Sequence, residues 1–236
     1  MPMEKTTLRK PFFVVNPKSY LYGEDVYALA RKADELAARY DIDCLFTAQL
    51  IDLPHIIAEC PHLIPCAQAM ESLKPGRGMG HILPEALAAA GVKATFLNHA
   101  ENPLTIHELA ATIARANELG ILTVVCADSV EEGAAIAGLH PDVMVCELTS
   151  LIGTGTVADE DYMRGSTEAV KAVSPETLVL QAAGISSGEN VYDAIRYDAD
   201  GTGATSGIVA APDPAQRLEE MFAALDRART DFCKEA

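Results

Sequence analysis

Positive charge is scarce in this chain. Lys and Arg number 18 against 34 Asp and Glu, a formal net charge of −16. Such a balance excludes nonspecific binding to nucleic acid or to an anionic membrane, although it leaves room for one local basic pocket. A continuous run of about 18 apolar residues is also missing, so no membrane-spanning helix is expected. The opening residues MPMEKTTLRK are short, mixed in charge and lack the apolar stretch of a secretory leader. The six cysteines, Cys44, Cys60, Cys66, Cys126, Cys146 and Cys233, include no CxxC pair, which excludes the common zinc motifs. Cys44, Cys126 and Cys146 lie in or beside apolar runs, where a free thiol acts as a small hydrophobe, and a reducing cytoplasmic setting is expected. No G-x-G-x-x-G follows the first apolar run, which weakens a dinucleotide-binding reading. Neither an internal repeat nor a linker rich in Pro, Gly or Ser divides the chain.

What is present is a regular alternation. Short apolar runs recur as FFVVN (12–16), DCLFTA (43–48), LIPCA (63–67), ATFLN (94–98), ILTVVC (121–126), DVMVC (142–146), LVLQA (178–182) and a weaker DGTGAT (200–205). Most are apolar on both faces, as strands of a buried parallel sheet are. Helical periodicity fills the intervals: Val26, Leu29, Ala30, Ala33, Leu36 and Ala37 recur at spacings of three and four. Ile106, Leu109, Ala110 and Ile113 repeat the pattern, Gly120 can stop that helix, and a further helix over 214–229 closes the chain. Eight strands alternating with helices over 236 residues predict an α/β chain folded as a single-domain (β/α)8 TIM barrel over 1–236, with 1–10 as a flexible N-terminal extension. The alternative is an open, doubly wound sheet.

In such a barrel the residues just after each strand build one functional face. Here these are Asn16-Pro17-Lys18, Asn98-His99, Glu147, Gly184-Ile185-Ser186 and Thr205-Ser206-Gly207. Each alone has a plain structural reading: a loop lysine, a packed histidine, a residue beside a helix cap, ordinary turns. Together they have chemical content. A carboxylate can remove a proton from carbon next to a carbonyl, a neutral imidazole can polarise that carbonyl, and an ammonium can offset the charge of an enediolate. Backbone N–H groups at small-residue turns can hold a phosphate.

On these residues the sequence resembles the triosephosphate isomerase family, in its short archaeal-type branch, over nearly its whole length. VVNPKSY is similar to the family's first-strand Asn-x-Lys, and KPGRGMGHILPEALAAAGVKATFLNHAEN to its segment reaching the catalytic His. CELTSLIGTG resembles the catalytic Glu and lid, and AAGISSGENV and ATSG the last two phosphate loops. The resemblance implies Glu147 as base, His99 as electrophile and Lys18 as stabiliser of the enediolate, the family's own well-known chemistry. It further implies Asn16, Lys18, Glu101, Ile152, Gly153, Gly184, Thr205 and Ser206 as substrate-binding residues. The activity implied is cofactor-independent interconversion of dihydroxyacetone phosphate and glyceraldehyde 3-phosphate. The alternatives are isomerisation of another small phosphosugar, such as a four-carbon ketose phosphate, or phosphosugar binding without catalysis.

Three departures touch the surroundings of these groups. Ala100 stands where the family has Ser, Asn102-Pro103 where it has Arg or Asn-Arg, and Leu148-Thr149 where it has Pro-Pro. Proline fixes φ, so Leu-Thr is expected to loosen the lid hinge. Pro17 removes a backbone donor near the substrate. No metal site is expected, since His55, His62, His81, His107 and His140 are scattered. The long third loop, 68–79, corresponds to one that packs into a neighbouring subunit in the resembling family. A homodimer or homotetramer is therefore implied.

Overall fold

The computed structural model describes residues 5–151, 154 and 156–233. Eight strands, β1 (Phe12–Val15), β2 (Cys44–Ala48), β3 (Leu63–Ala67), β4 (Ala94–Leu97), β5 (Leu122–Ala127), β6 (Val143–Cys146), β7 (Leu178–Gln181) and β8 (Gly201–Ala204), pair in sequential order. All pairings are parallel, and β8 returns to β1 to close the barrel. The open sheet is thereby ruled out. Among the described residues the helices are α1 (Glu24–Tyr40), α2 (Leu53–Glu59), α3 (Pro84–Ala90), α4 (Ile106–Leu119), α5 (Val130–Ala137), α6 (Glu160–Val173), α7 (Gly188–Arg196), α8 (Ser206–Val209) and α9 (Pro214–Phe232).

Strand residues alternate between two cores, which is why the runs read as continuously apolar. Phe12, Val14, Leu45, Phe96, Val124, Val145 and Leu180 fill the barrel interior. Phe13, Val15, Phe46, Leu97, Val125 and Met144 face outward into the layer between strands and helices. The weak eighth run has a steric explanation. A Cβ at Gly201 would lie 2.6 Å from the buried Phe12 ring, and one at Gly203 would lie 2.5 Å from the Val14 carbonyl oxygen. The large residues of β1 take the space that side chains on β8 would need.

Helix ends follow local chemistry. Thr105 caps α4 through a reciprocal arrangement with Glu108, so the helix begins one residue after it. Gly120 ends α4 at φ 69°, a left-handed backbone that glycine adopts without a Cβ penalty. At the N-terminal end of the barrel, Lys5 pairs with Asp142 at 2.6 Å, Arg9 with Asp43 at 2.6 Å and Lys10 with Asp200 at 3.3 Å. Those three aspartates directly precede β6, β2 and β8, and Leu8 packs against the interior cluster. Residues 1–4 lie outside the described residues.

Gly203→Ala should force β8 from β1. Overpacking of this kind costs about 1–3 kcal/mol, and for a chain of this size each kcal/mol shifts Tm by roughly 2–4 °C. A thermal melt should therefore show Tm lower by roughly 2–12 °C. An unchanged Tm would mean that the β1–β8 seam has slack the packing denies.

Candidate active site

The C-terminal ends of the strands converge on one cavity of about 240 Å³. Asn16, Lys18, His99, Glu101, Glu147, Gly184, Thr205 and Ser206 line it, over a floor of Val14, Phe96, Val145 and Leu180. Asn16, Lys18, His99 and Glu147, singled out after strands 1, 4 and 6, thus share one face of one barrel. Ile152 and Gly153 lie outside the described residues.

Asn16 leaves β1 with its side-chain oxygen already used. Oδ1 accepts from the Thr47 hydroxyl at 2.6 Å and from the Lys18 N–H at 3.1 Å. The amide nitrogen is the end left for a ligand. Lys18 has φ 48°, a left-handed conformation that costs a non-glycine residue roughly 1–2 kcal/mol. Two contacts hold it there: the Asn16 bond and a donation from Gln68 Nε2 to the Lys18 carbonyl at 2.8 Å. Gln49 in turn donates to Gln68 Oε1 at 3.1 Å. The Lys18 side chain is 15% exposed and its Nζ lies 2.8 Å from Oε1 of the outward-reaching Glu101.

His99 follows β4 in a tight turn. Asn98 adopts φ 55°, donates from Nδ2 to the Cys126 carbonyl at 3.0 Å and accepts the Leu104 N–H at 3.0 Å. The Asn102 N–H donates to the His99 carbonyl at 2.7 Å. Inside this turn the Glu101 N–H donates to His99 Nδ1 at 3.0 Å. Nδ1 therefore carries a lone pair, and in the neutral ring the proton sits on Nε2. Burial, reinforced by the Lys18 charge, holds the imidazole below its ordinary value of 6.5, while Glu101 opposes them. The ring is thus biased to the neutral, Nε2-donating form.

Glu147 emerges directly from β6, and its N–H donates to the Ala127 carbonyl at 3.0 Å. Burial raises its carboxyl above the ordinary 4.5; Lys18 opposes the rise and Glu101 adds to it. Desolvation makes such a carboxylate a stronger base. The hinge expected to be loose carries its own bond: the Thr149 N–H donates to Asp128 Oδ1 at 2.5 Å.

Across the cavity, small residues let three backbones meet. Gly184 has φ 73°, and a Cβ there would lie 2.0 Å from the Thr156 carbonyl oxygen. A Cβ at Gly207 would lie 2.3 Å from the Ile185 carbonyl oxygen. The Thr205 carbonyl accepts from the N–H groups of Ile208 and Val209. No backbone acceptor takes the N–H of Gly184, Ser206 or Gly207 among the described residues. Backbone donors of this kind suit an anion. Among the described residues no group of three or more His, Cys, Asp or Glu is gathered as a metal would need.

Sequence reading alone does not single out Thr47, Gln49, Gln68 or Asp128. The available signals are faint: a threonine inside an apolar strand, and amides just after two others. A second cavity of about 310 Å³ adjoins the first, shares Asn16, Lys18, His99 and Glu101, and adds Gln49, Gln68 and Asn102.

Residues 11–223 match a family profile described as Triosephosphate isomerase. The triosephosphate isomerase of Methanopyrus kandleri is 35% identical over 225 residues, covering 93% of this chain and 100% of that protein. Those of Methanosarcina mazei (33% over 217 residues; 90% and 97% covered) and Methanoculleus marisnigri (36% over 225 residues; 91% and 99% covered) are similarly related.

One cation acts on both titrating groups, so its removal has a definite sign. Lys18→Met should raise the His99 pKa, because an ammonium no longer repels the imidazolium. It should also raise the Glu147 pKa, because the same charge no longer favours the carboxylate. NMR titration of the labelled ring and carboxyl reads both. A fall in either, or no movement, would contradict the electrostatic arrangement.

Proposed function

The chain belongs to the triosephosphate isomerase family, and on that premise we propose that Glu147, His99 and Lys18 carry out its interconversion of dihydroxyacetone phosphate and glyceraldehyde 3-phosphate. Glu147 removes a proton from C1 of the ketose. As the C2 carbonyl gains negative charge, His99 Nε2–H donates to its oxygen and the Lys18 ammonium offsets the charge. His99 then takes the proton of the C1 hydroxyl, and Glu147 returns its proton to C2, giving the aldose. Every proton removed is replaced, so neither a metal nor an organic cofactor is called for.

Asn16 orients the substrate through its free amide nitrogen. Glu101 fixes the His99 tautomer through its N–H and braces Lys18 through its carboxylate. The phosphate lies against Gly184, Thr205 and Ser206; Ile152 and Gly153, which the resemblance assigns to the lid, lie outside the described residues. Closure of that lid excludes water and protects the enediolate from losing phosphate. The observation that carries the assignment is one cavity holding a carboxylate raised by burial opposite an imidazole kept neutral.

The adjoining cavity beside Lys18 and His99 supports a second reading, turnover of a four-carbon ketose phosphate as well. Self-association as a homodimer or homotetramer is supported by Tyr20, Tyr22, Ile51, Met79 and Ile106, exposed in or beside the loops after β1, β2, β3 and β4. No helix among the described residues is long and apolar enough to cross a membrane. A cytoplasmic setting is supported by six unpaired cysteines.

Glu147→Asp keeps the charge but withdraws the oxygens by about one C–C bond; a misplacement of ~1 Å costs roughly a hundredfold in rate. kcat should fall by that order while the inhibition constant of inorganic phosphate stays within about threefold, since other groups hold the anion. His99→Gln should separate rate from affinity in the same way. Near-wild-type turnover in either variant would remove the pair from the mechanism. Comparing kcat/KM for the triose and four-carbon phosphates tests the second reading.

A further inference from the structure

Glu147 is flanked by two hydrogen bonds to consecutive residues, the last of β5 and the one after it. Its own N–H reaches the Ala127 carbonyl at 3.0 Å, and two residues later the Thr149 N–H reaches Asp128 Oδ1 at 2.5 Å. Asp128 is itself anchored, because its N–H donates to Glu132 Oε2 at 2.6 Å. Glu132 is fixed in the first turn of α5, where its N–H donates to Ser129 Oγ at 3.1 Å. The other oxygen of Glu132 lies 3.5 Å from Nδ2 of Asn98, the residue before His99. A chain of polar contacts thus runs from the turn bearing His99, through Glu132 and Asp128, to the segment bearing Glu147.

Something must hold that segment. On its outer side Glu147 borders a further cavity of about 300 Å³, walled by His99, Ala100, Asp128, Glu132 and Thr149. Packing alone does not confine the residue to the central cavity. Thr149 can donate to Asp128 because it is not proline, which has no N–H. The stiffness that a prolyl ring would supply is replaced here by a hydrogen bond to a carboxylate, a stronger bond than a neutral one.

We propose that Asp128 is a positioning residue for the isomerisation: by binding the Thr149 N–H it fixes the backbone just after Glu147 and keeps the base registered against substrate. Asp128 touches neither substrate nor reacting atoms. This role rests on Glu147 being the base.

The test is a double-mutant cycle on the full-length protein, with kcat, KM and thermal unfolding measured for each variant. Asp128→Ala should lower kcat about tenfold, as a displacement of less than ~1 Å implies, with KM and phosphate inhibition within about twofold. Asp128→Asn should retain most of kcat, because its amide oxygen still accepts the N–H. Thr149 opens a 3₁₀ turn, Thr149–Leu151, a position where proline fits. In the Thr149→Pro background the N–H is gone, so Asp128→Ala should change kcat less than about twofold. An equal loss in both backgrounds, an unchanged kcat in the single variant, or a loss that tracks KM or Tm would overturn the proposal. Glu147→Gln separates the two levels. If it retains turnover, the base assignment fails; if it is inactive while Asp128→Ala is fully active, only the positioning role fails.

Discussion

β8 can lie against β1 because Gly201 and Gly203 leave room for Phe12 and the Val14 backbone. That contact closes the sheet, and the site depends on the closure. Asn16 and Lys18 follow the first strand, while Thr205 and Ser206 follow the last. In an open sheet these pairs would stand at opposite edges. In the closed barrel, the Asn16 N–H donates to the Ala204 carbonyl at 3.2 Å, and both ends of the chain's strand order face one cavity. Direct pairing of β4 with β5 and of β5 with β6 brings the segments after them close enough to hydrogen-bond with one another.

Within that frame one cation organises the electrostatics. The chain as a whole is strongly acidic, yet Lys18 places an ammonium among His99, Glu101 and Glu147. After burial, its charge is the second influence pushing the imidazole toward neutrality, and it tempers the rise that burial imposes on Glu147. The two groups are thus drawn toward complementary roles, a neutral donor and a carboxylate base. Neighbours hold Lys18 in a left-handed conformation that its own side chain disfavours, a sign of strain retained at the cavity wall.

Much of this was legible in the sequence, and the physical reason is local. Strands buried on both faces read as apolar runs, and α4 announced its end through Gly120. The placing of His99 and Glu147 at the rim was legible because each sits immediately after such a run, and that of Lys18 because it follows one after a single proline. The eighth strand was faint because its glycines reflect the bulk of β1, a residue pair far apart in sequence. The same distance hid the supports. Gln68 on Lys18, Asn98 on Cys126 and Asp128 on Thr149 join segments far apart in the chain, and no spacing signals them. The hinge shows the limit best. Leu148-Thr149 reads as a loss of stiffness until its partner, 21 residues away, is seen.

The central claim is that Glu147 removes the C1 proton of the substrate and protonates C2, its carboxyl proton exchanging with solvent in between. Isomerisation of dihydroxyacetone phosphate in D₂O, followed by NMR, tests it most directly. The account predicts that the wild-type protein places deuterium at C2 of the glyceraldehyde 3-phosphate formed, and that Glu147→Gln loses both labelling and turnover. A Glu147→Gln protein that still introduces deuterium at the wild-type rate would contradict it.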